Sequence, residues 1–148
     1  MHAWRRLLRL PGRDRLLIAE AAGLIVAARL GMRLLPIERL RAVLARTRQE
    51  HRPHNACATE ANRRVAWAVS SVASRLPGRN SCLIEALAAE AMLRRRGYEC
   101  QLRLGVPPAR PTNAPFAAHA WIEHDGHVVI GEVQDLPDYA VFSRVAER

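Results

Sequence analysis

The stretch from Cys82 to Arg96 sets the strongest condition on the fold. Leu83, Ile84, Ala86, Leu87, Ala88, Ala89, Ala91, Met92 and Leu93 cover almost every face of the helix this segment predicts. A helix apolar all round has to be buried on all sides, so other elements must wrap it. Asn80 or Ser81 caps its start, and Glu85 suits its positive end. Arg94-Arg95-Arg96 suits its negative end, and Gly97 fits the position just past its C-terminus. A chain of 148 residues can bury such a helix in one domain, or in one small domain with a helical extension.

The wrapping elements are legible on both sides. Residues 13–34 read as a helix that Asp14 can cap, with Pro36 at its end or opening the next one. Residues 37–48 set Ile37, Leu40, Val43 and Leu44 against Arg39, Arg41, Arg46 and Arg48, an amphipathic basic helix. His51 to Asn55 is a polar break. Residues 56–76 step Ala58, Ala61, Val65, Val69, Val72 and Leu76 by three or four, and Pro77-Gly78 stops the helix. After Gly97 the period changes to two. Tyr98 to Val106 alternates as a strand, Pro107 to Pro115 is a proline-rich loop, and Phe116–Glu123 and His127–Glu132 read as strands. Asp125-Gly126 between them is a two-residue hairpin turn. The tail, 133–148, carries no clear pattern. Helices followed by antiparallel strands make an α+β chain, divided here into an Arg-rich helical segment (1–52) and a core (53–148).

Charge sharpens that division. Residues 1–52 hold 12 Arg and 4 acids, and residues 53–148 hold 11 Arg and 10 acids. No lysine occurs, which excludes Schiff-base and lysine general-base chemistry. Neither GxxxxGK[ST] nor GxGxxG is present, so the usual phosphate-cradling loops are missing. Three cysteines, Cys57, Cys82 and Cys100, with no CxxC, argue against a disulfide framework or structural zinc and for a reducing cytoplasm. Ala21 to Ala28 is an uncharged apolar run between Glu20 and Arg29, far short of the ~20 residues of a membrane span. No signal peptide and no transmembrane helix are expected.

Chemistry concentrates at three positions. Cys82 opens the buried helix, where free peptide N–H groups and the helix dipole favour a thiolate. A lone Cys at a helix start is more often a small buried hydrophobe. His119, in Ala-His-Ala-Trp on a strand, supplies the base that a nucleophilic Cys requires. Counting back from the Asp-Gly turn, His124 faces His127 and His119 faces Glu132. Opposed residues share a face, so Glu132 can orient the imidazole, provided the register has no slip. Cys82 as nucleophile, His119 as base and Glu132 as orienter form the arrangement of a papain-like thiol site. Trp121, two residues after His119, shares its face and can wall the cleft. Cys57 and Cys100 read as packing residues.

Asn80–Leu87 (NSCLIEAL), Leu93–Gly97 (LRRRG), Leu104–Val106 (LGV) and Ala118–Val129 (AHAWIEHDGHVV) resemble the transglutaminase-like leader peptidases of lasso-peptide biosynthesis. The resemblance covers about residues 65–132, and the first helices resemble the standalone form of that peptidase in length and composition. It implies a Cys-bearing helix packed on a small antiparallel sheet and a Cys-His-Asp cysteine protease without cofactor or metal. Such an enzyme removes the leader from a ribosomal precursor peptide and frees the amine that a separate cyclase closes into a ring. A small recognition protein holds the precursor. Cys82 and His119 match the nucleophile and base. The resemblance implies Asp near the end of the second hairpin strand, where this chain has Glu132. Asp135 and Asp138 are the fallbacks, and Asp125 is better used in the turn.

Three rival readings use the same residues. A metal site would need His119, His124, His127 and Cys82 to converge, but two of the histidines flank the turn. A basic adaptor for nucleic acid or membrane would use the Arg-rich helices, yet no base-reading motif appears and the only aromatic there is Trp4. Docking on a partner, or peripheral contact with a membrane through those helices, is the preferred use of the stripe. A Cys-dependent acyltransferase would run on the same site with an amine in place of water.

Overall fold

A computed structural model of the chain describes residues 11–45, 55–76, 81–107 and 118–144. Among these residues four helices precede and cover a four-stranded antiparallel sheet, the α+β order expected from the pattern. The helices are α1 (Gly12–Leu34), α2 (Ile37–Leu44), α3 (Asn55–Ala73) and α4 (Cys82–Arg95). The strands are β1 (Gln101–Val106), β2 (His119–His124), β3 (His127–Ile130) and β4 (Ala140–Arg144), in the order β3-β2-β1-β4.

The all-apolar helix is central. Ala86 to Leu93 of α4 are all buried. On one side α4 meets the three strands β1, β2 and β3, and on the other it meets α1, α2 and α3. Leu17, Ile25 and Leu40 of the Arg-rich segment share one continuous core with Leu87, Leu93, Leu102 and Ile122. The N-terminal helices are thus built into the same core as the strands. The proposed division at 52/53, the Pro77-Gly78 stop and the proline-rich loop lie outside the described residues.

Inside that core sits a carboxylate the pattern did not announce. Glu90 is 3% exposed. Arg41 of α2 grips both its oxygens, with Nε 2.8 Å from Oε2, and Arg94 lies 3.1 Å away. Removing one partner from such a buried set costs about 3–5 kcal/mol, because a charge is left without its answer. Arg95 donates to the Leu44 carbonyl at 3.0 Å and Arg96 pairs with Glu20 at 2.6 Å. The arginines at the end of α4 therefore tie α1 and α2 down, as well as suiting the helix dipole.

Local signals mostly act as the sequence requires. Gly97 takes φ +80°, and the N–H groups of Gly97 and Tyr98 donate back to Arg94 and Leu93. That cap consumes the first residues after α4, so β1 begins at Gln101 and not at Tyr98. Asp125 (φ +49°) and Gly126 (φ +76°) form the tight hairpin turn. Asp14 does not cap α1: the residue before the helix is Pro11, and Asp14 turns to Arg64 of α3 at 2.5 Å. The tail contributes a one-turn 3-10 helix (Leu136–Asp138) and β4, which pairs with β1. Neither was expected. Among the described residues, no helix is long and apolar enough to cross a membrane.

Candidate active site

Cys82 is the first residue of α4. Ser81 caps the helix, its hydroxyl accepting from the Ile84 N–H at 3.3 Å. The first N–H groups of a helix have no intrahelical acceptor, so those of Cys82 and Leu83 are free to meet an anion beside the sulfur. The thiol is partly buried and donates toward the Ala118 carbonyl, with Sγ 3.9 Å from the oxygen. Ala118 immediately precedes His119. The start of the buried helix therefore meets the backbone at the start of β2, one residue before the predicted base, while the Cys82 and His119 side chains make no hydrogen bond with each other.

His119 stands on the face of β2 that turns away from α4, since Ala120 and Ile122 fill the core on the other face. Its Nε2 lies 2.6 Å from the Gly131 carbonyl. A carbonyl only accepts, so this contact puts the ring proton on Nε2 and leaves the lone pair on Nδ1. The ring stacks on Trp121 at 6.1 Å and 17°, and Tyr139 meets its edge at 6.1 Å. Trp121 is only 2% exposed. Its Nε1 donates to Glu123 at 2.8 Å, and Arg103 donates to the other Glu123 oxygen at 3.0 Å. Gly105 on β1 makes room: a Cβ there would sit 2.9 Å from the Trp121 ring. The imidazole thus rests on a fixed aromatic platform.

Glu132 is not across from His119. His124 pairs with His127 and Glu123 with Val128, as the turn dictates, but Ile122 then pairs with Ile130. Val129 is the extra residue of a β-bulge, and the expected opposition is lost beyond it. Gly131 follows with φ +86°, a conformation that favours glycine. A Cβ at Gly131 would lie 2.7 Å from the Ala120 carbonyl and 2.9 Å from the Trp121 Cβ. This bend presents the Gly131 carbonyl to His119. The exposed Glu132 side chain borders a cleft of about 600 Å³ with Trp121, Glu123, Leu136, Tyr139 and Val141. Among the described residues, neither Glu132 nor Asp135 nor Asp138 makes a hydrogen bond or ion pair with His119.

The remaining candidates separate. His124, at the far end of β2, is 7% exposed and hydrogen-bonds through Nδ1 to the Glu99 carbonyl. His127 is exposed beside the turn. Cys100 is 2% exposed within the core, and burial together with the nearby Glu90 carboxylate pushes its thiol up to about 12. The Cys57 side chain lies outside the described residues. Glu85, one helical turn after Cys82, has its carboxyl raised above the ordinary range by burial. Sequence reasoning missed the Gly131 carbonyl and Tyr139. A glycine directly after a strand was the available signal for the first, and the unpatterned tail gave none for the second.

The family model for the transglutaminase-like superfamily matches residues 22–144, and the chain belongs to that superfamily. No curated protein and no solved structure matches the chain.

Proposed function

We propose that this transglutaminase-like chain is a cytoplasmic cysteine peptidase that removes the leader from a ribosomally made lasso-peptide precursor. The observation that carries the reading is the meeting of Cys82, on a capped helix N-terminus, with the start of β2, where His119 is held through Nε2. The resemblance of residues 80–87 and 118–129 to leader peptidases supports the substrate class. The precursor, a small recognition protein and a separate cyclase are the partners that go with it.

The reading assigns each group a step. Nδ1 of His119 takes the Cys82 proton, and the sulfur attacks the carbonyl carbon at the leader–core junction. The Cys82 N–H donates to the oxyanion that forms. The imidazolium returns its proton to the leaving amine, which departs with the core, and the leader stays as a thioester. Water, deprotonated by His119, then breaks the thioester, releasing the leader acid and restoring the thiol. The Gly131 carbonyl does the orienting that an opposed carboxylate was expected to do. Glu132 sits one residue further, where its carboxylate borders the cleft beside the aromatic platform.

Mass spectrometry of the full chain with a precursor peptide and its recognition protein tests the reading, with Cys82→Ala in parallel. Loss of the leader with the native chain and none with the variant is the expected result. Cleavage by Cys82→Ala at the native rate would overturn the assignment. An amine added to the acyl group in place of water would instead identify an acyltransferase on the same thiol.

A further inference from the structure

Among the described residues, seven of the nine large apolar side chains left exposed lie between residues 16 and 43. Five of them are on α1, and four of these five, Leu16, Val26, Leu30 and Leu34, share one side of it, with Leu34 81% exposed. Ala19, Gly23 and Ala27 are exposed between them. At 3.6 residues per turn these seven positions fall within an arc of about 100°. The opposite face of α1 carries Leu17, Ala21, Leu24 and Ala28 into the core. This helix is therefore apolar on two faces, and only one of them is used by the fold. Gly23 makes the outer face flat: a Cβ there would meet nothing within 4 Å. A mid-helix glycine weakens a helix, and no contact within the described residues requires this one.

The charges around this face have one sign. Both acids of α1 turn inward, Asp14 to Arg64 and Glu20 to Arg95 and Arg96. Arg13, Arg15 and Arg33 are exposed along the rims. Two copies pairing antiparallel about Gly23 would bring Arg13 of one against Arg33 of the other with no acid to answer them. A flat apolar strip with an all-arginine rim instead matches an anionic bilayer. There, Leu side chains enter the acyl boundary and guanidiniums bind lipid phosphates. We infer that the outer face of α1 is a docking surface for an anionic lipid membrane, on which the chain lies without crossing it. The inference is independent of the catalytic reading.

The test is sedimentation of the full chain with vesicles of phosphatidylglycerol and phosphatidylcholine in equal parts, beside vesicles of phosphatidylcholine alone. The expected result is binding to the anionic vesicles, weakened in about 1 M salt, where charges are screened beyond ~3 Å. The double variant Leu16→Glu, Leu30→Glu should weaken binding by at least about tenfold. Its melting temperature should stay unchanged, because both side chains point away from the core. Arg15→Gln with Arg33→Gln should weaken anionic binding alone. Absence of binding by the native chain, or equal binding by the Leu variant, overturns the inference. So does a concentration-dependent dimer that the Leu variant dissolves while vesicles bind neither form.

Discussion

Each end of α4 has a cysteine beside it and a histidine on β2, and the two ends behave oppositely. At the N-terminal end, Cys82 is partly open, next to unpaired helix N–H groups, and His119 leaves its Nδ1 lone pair available. At the other end, Cys100 is buried against the Glu90 carbonyl at 4.0 Å, with the Glu90 carboxylate raising the cost of a thiolate. One step beyond the Gln101↔Glu123 pair, the register sets Cys100 opposite His124. That histidine is sealed between Tyr98 and the Glu99 carbonyl. The same two residue types are thus open to chemistry at one end and sealed in packing at the other. The direction of the helix dipole and access to solvent decide which.

The sharpest break of this comparison exchanges the ends. His119→Asn should lower the single-turnover rate by about 10²–10⁴, the usual worth of a positioned base. It should leave the melting temperature nearly unchanged. Cys100→Ala should do the reverse, keeping the rate and costing about 1–2 kcal/mol in denaturant unfolding through a small core cavity. If Cys100→Ala stopped turnover while His119→Asn did not, the active end would have been misassigned.

A smaller effect tests how the base is held. Gly131→Ala must accept a strained φ and displace the Ala120 carbonyl or Trp121, at about 1–3 kcal/mol in stability. Its rate should drop at least about tenfold as the carbonyl leaves Nε2. Glu132→Gln should keep the rate within about threefold, since the carboxylate does not touch the ring. Steady-state kinetics of the two variants would expose the error if their order came out reversed.

The smallest effect concerns Glu85 at the Cys82 end. The folded chain holds this proton more tightly than the unfolded chain, because burial disfavours the carboxylate. Stability is therefore lost as pH rises from the ordinary value of 4.5 through the raised one. Glu85→Gln should raise the melting temperature at neutral pH, and the gain should vanish below about pH 4, where both forms are neutral. A gain that persisted in acid would assign the effect to packing.

Residues 82–97 determined a great deal alone. An all-round apolar segment with Ser81 before it and Gly97 after it can only be a buried, capped helix, and that placed Cys82 at its positive end. The Asp125-Gly126 turn likewise made the hairpin, because two successive positive φ angles close a two-residue loop of the right twist. Alternation then told which face His119 and Trp121 share. These are local facts, written in steric and hydrogen-bond rules that span a few residues. The orientation of His119 is not of that kind. One extra residue at Val129 shifts the register, and nothing in His-Val-Val-Ile announces it, since a bulge is selected by how the strand must bend against the rest of the sheet. The buried Arg41–Glu90 pair joins residues 49 positions apart. It forms only because α2 folds over α4. β4 and Tyr139 come from a tail without periodicity, given structure by the edge of β1 and by the Trp121 ring that Tyr139 packs against. Sequence alone determined most of the elements and set Cys82 at the start of the buried helix. Contacts between distant segments decided which atom holds the histidine.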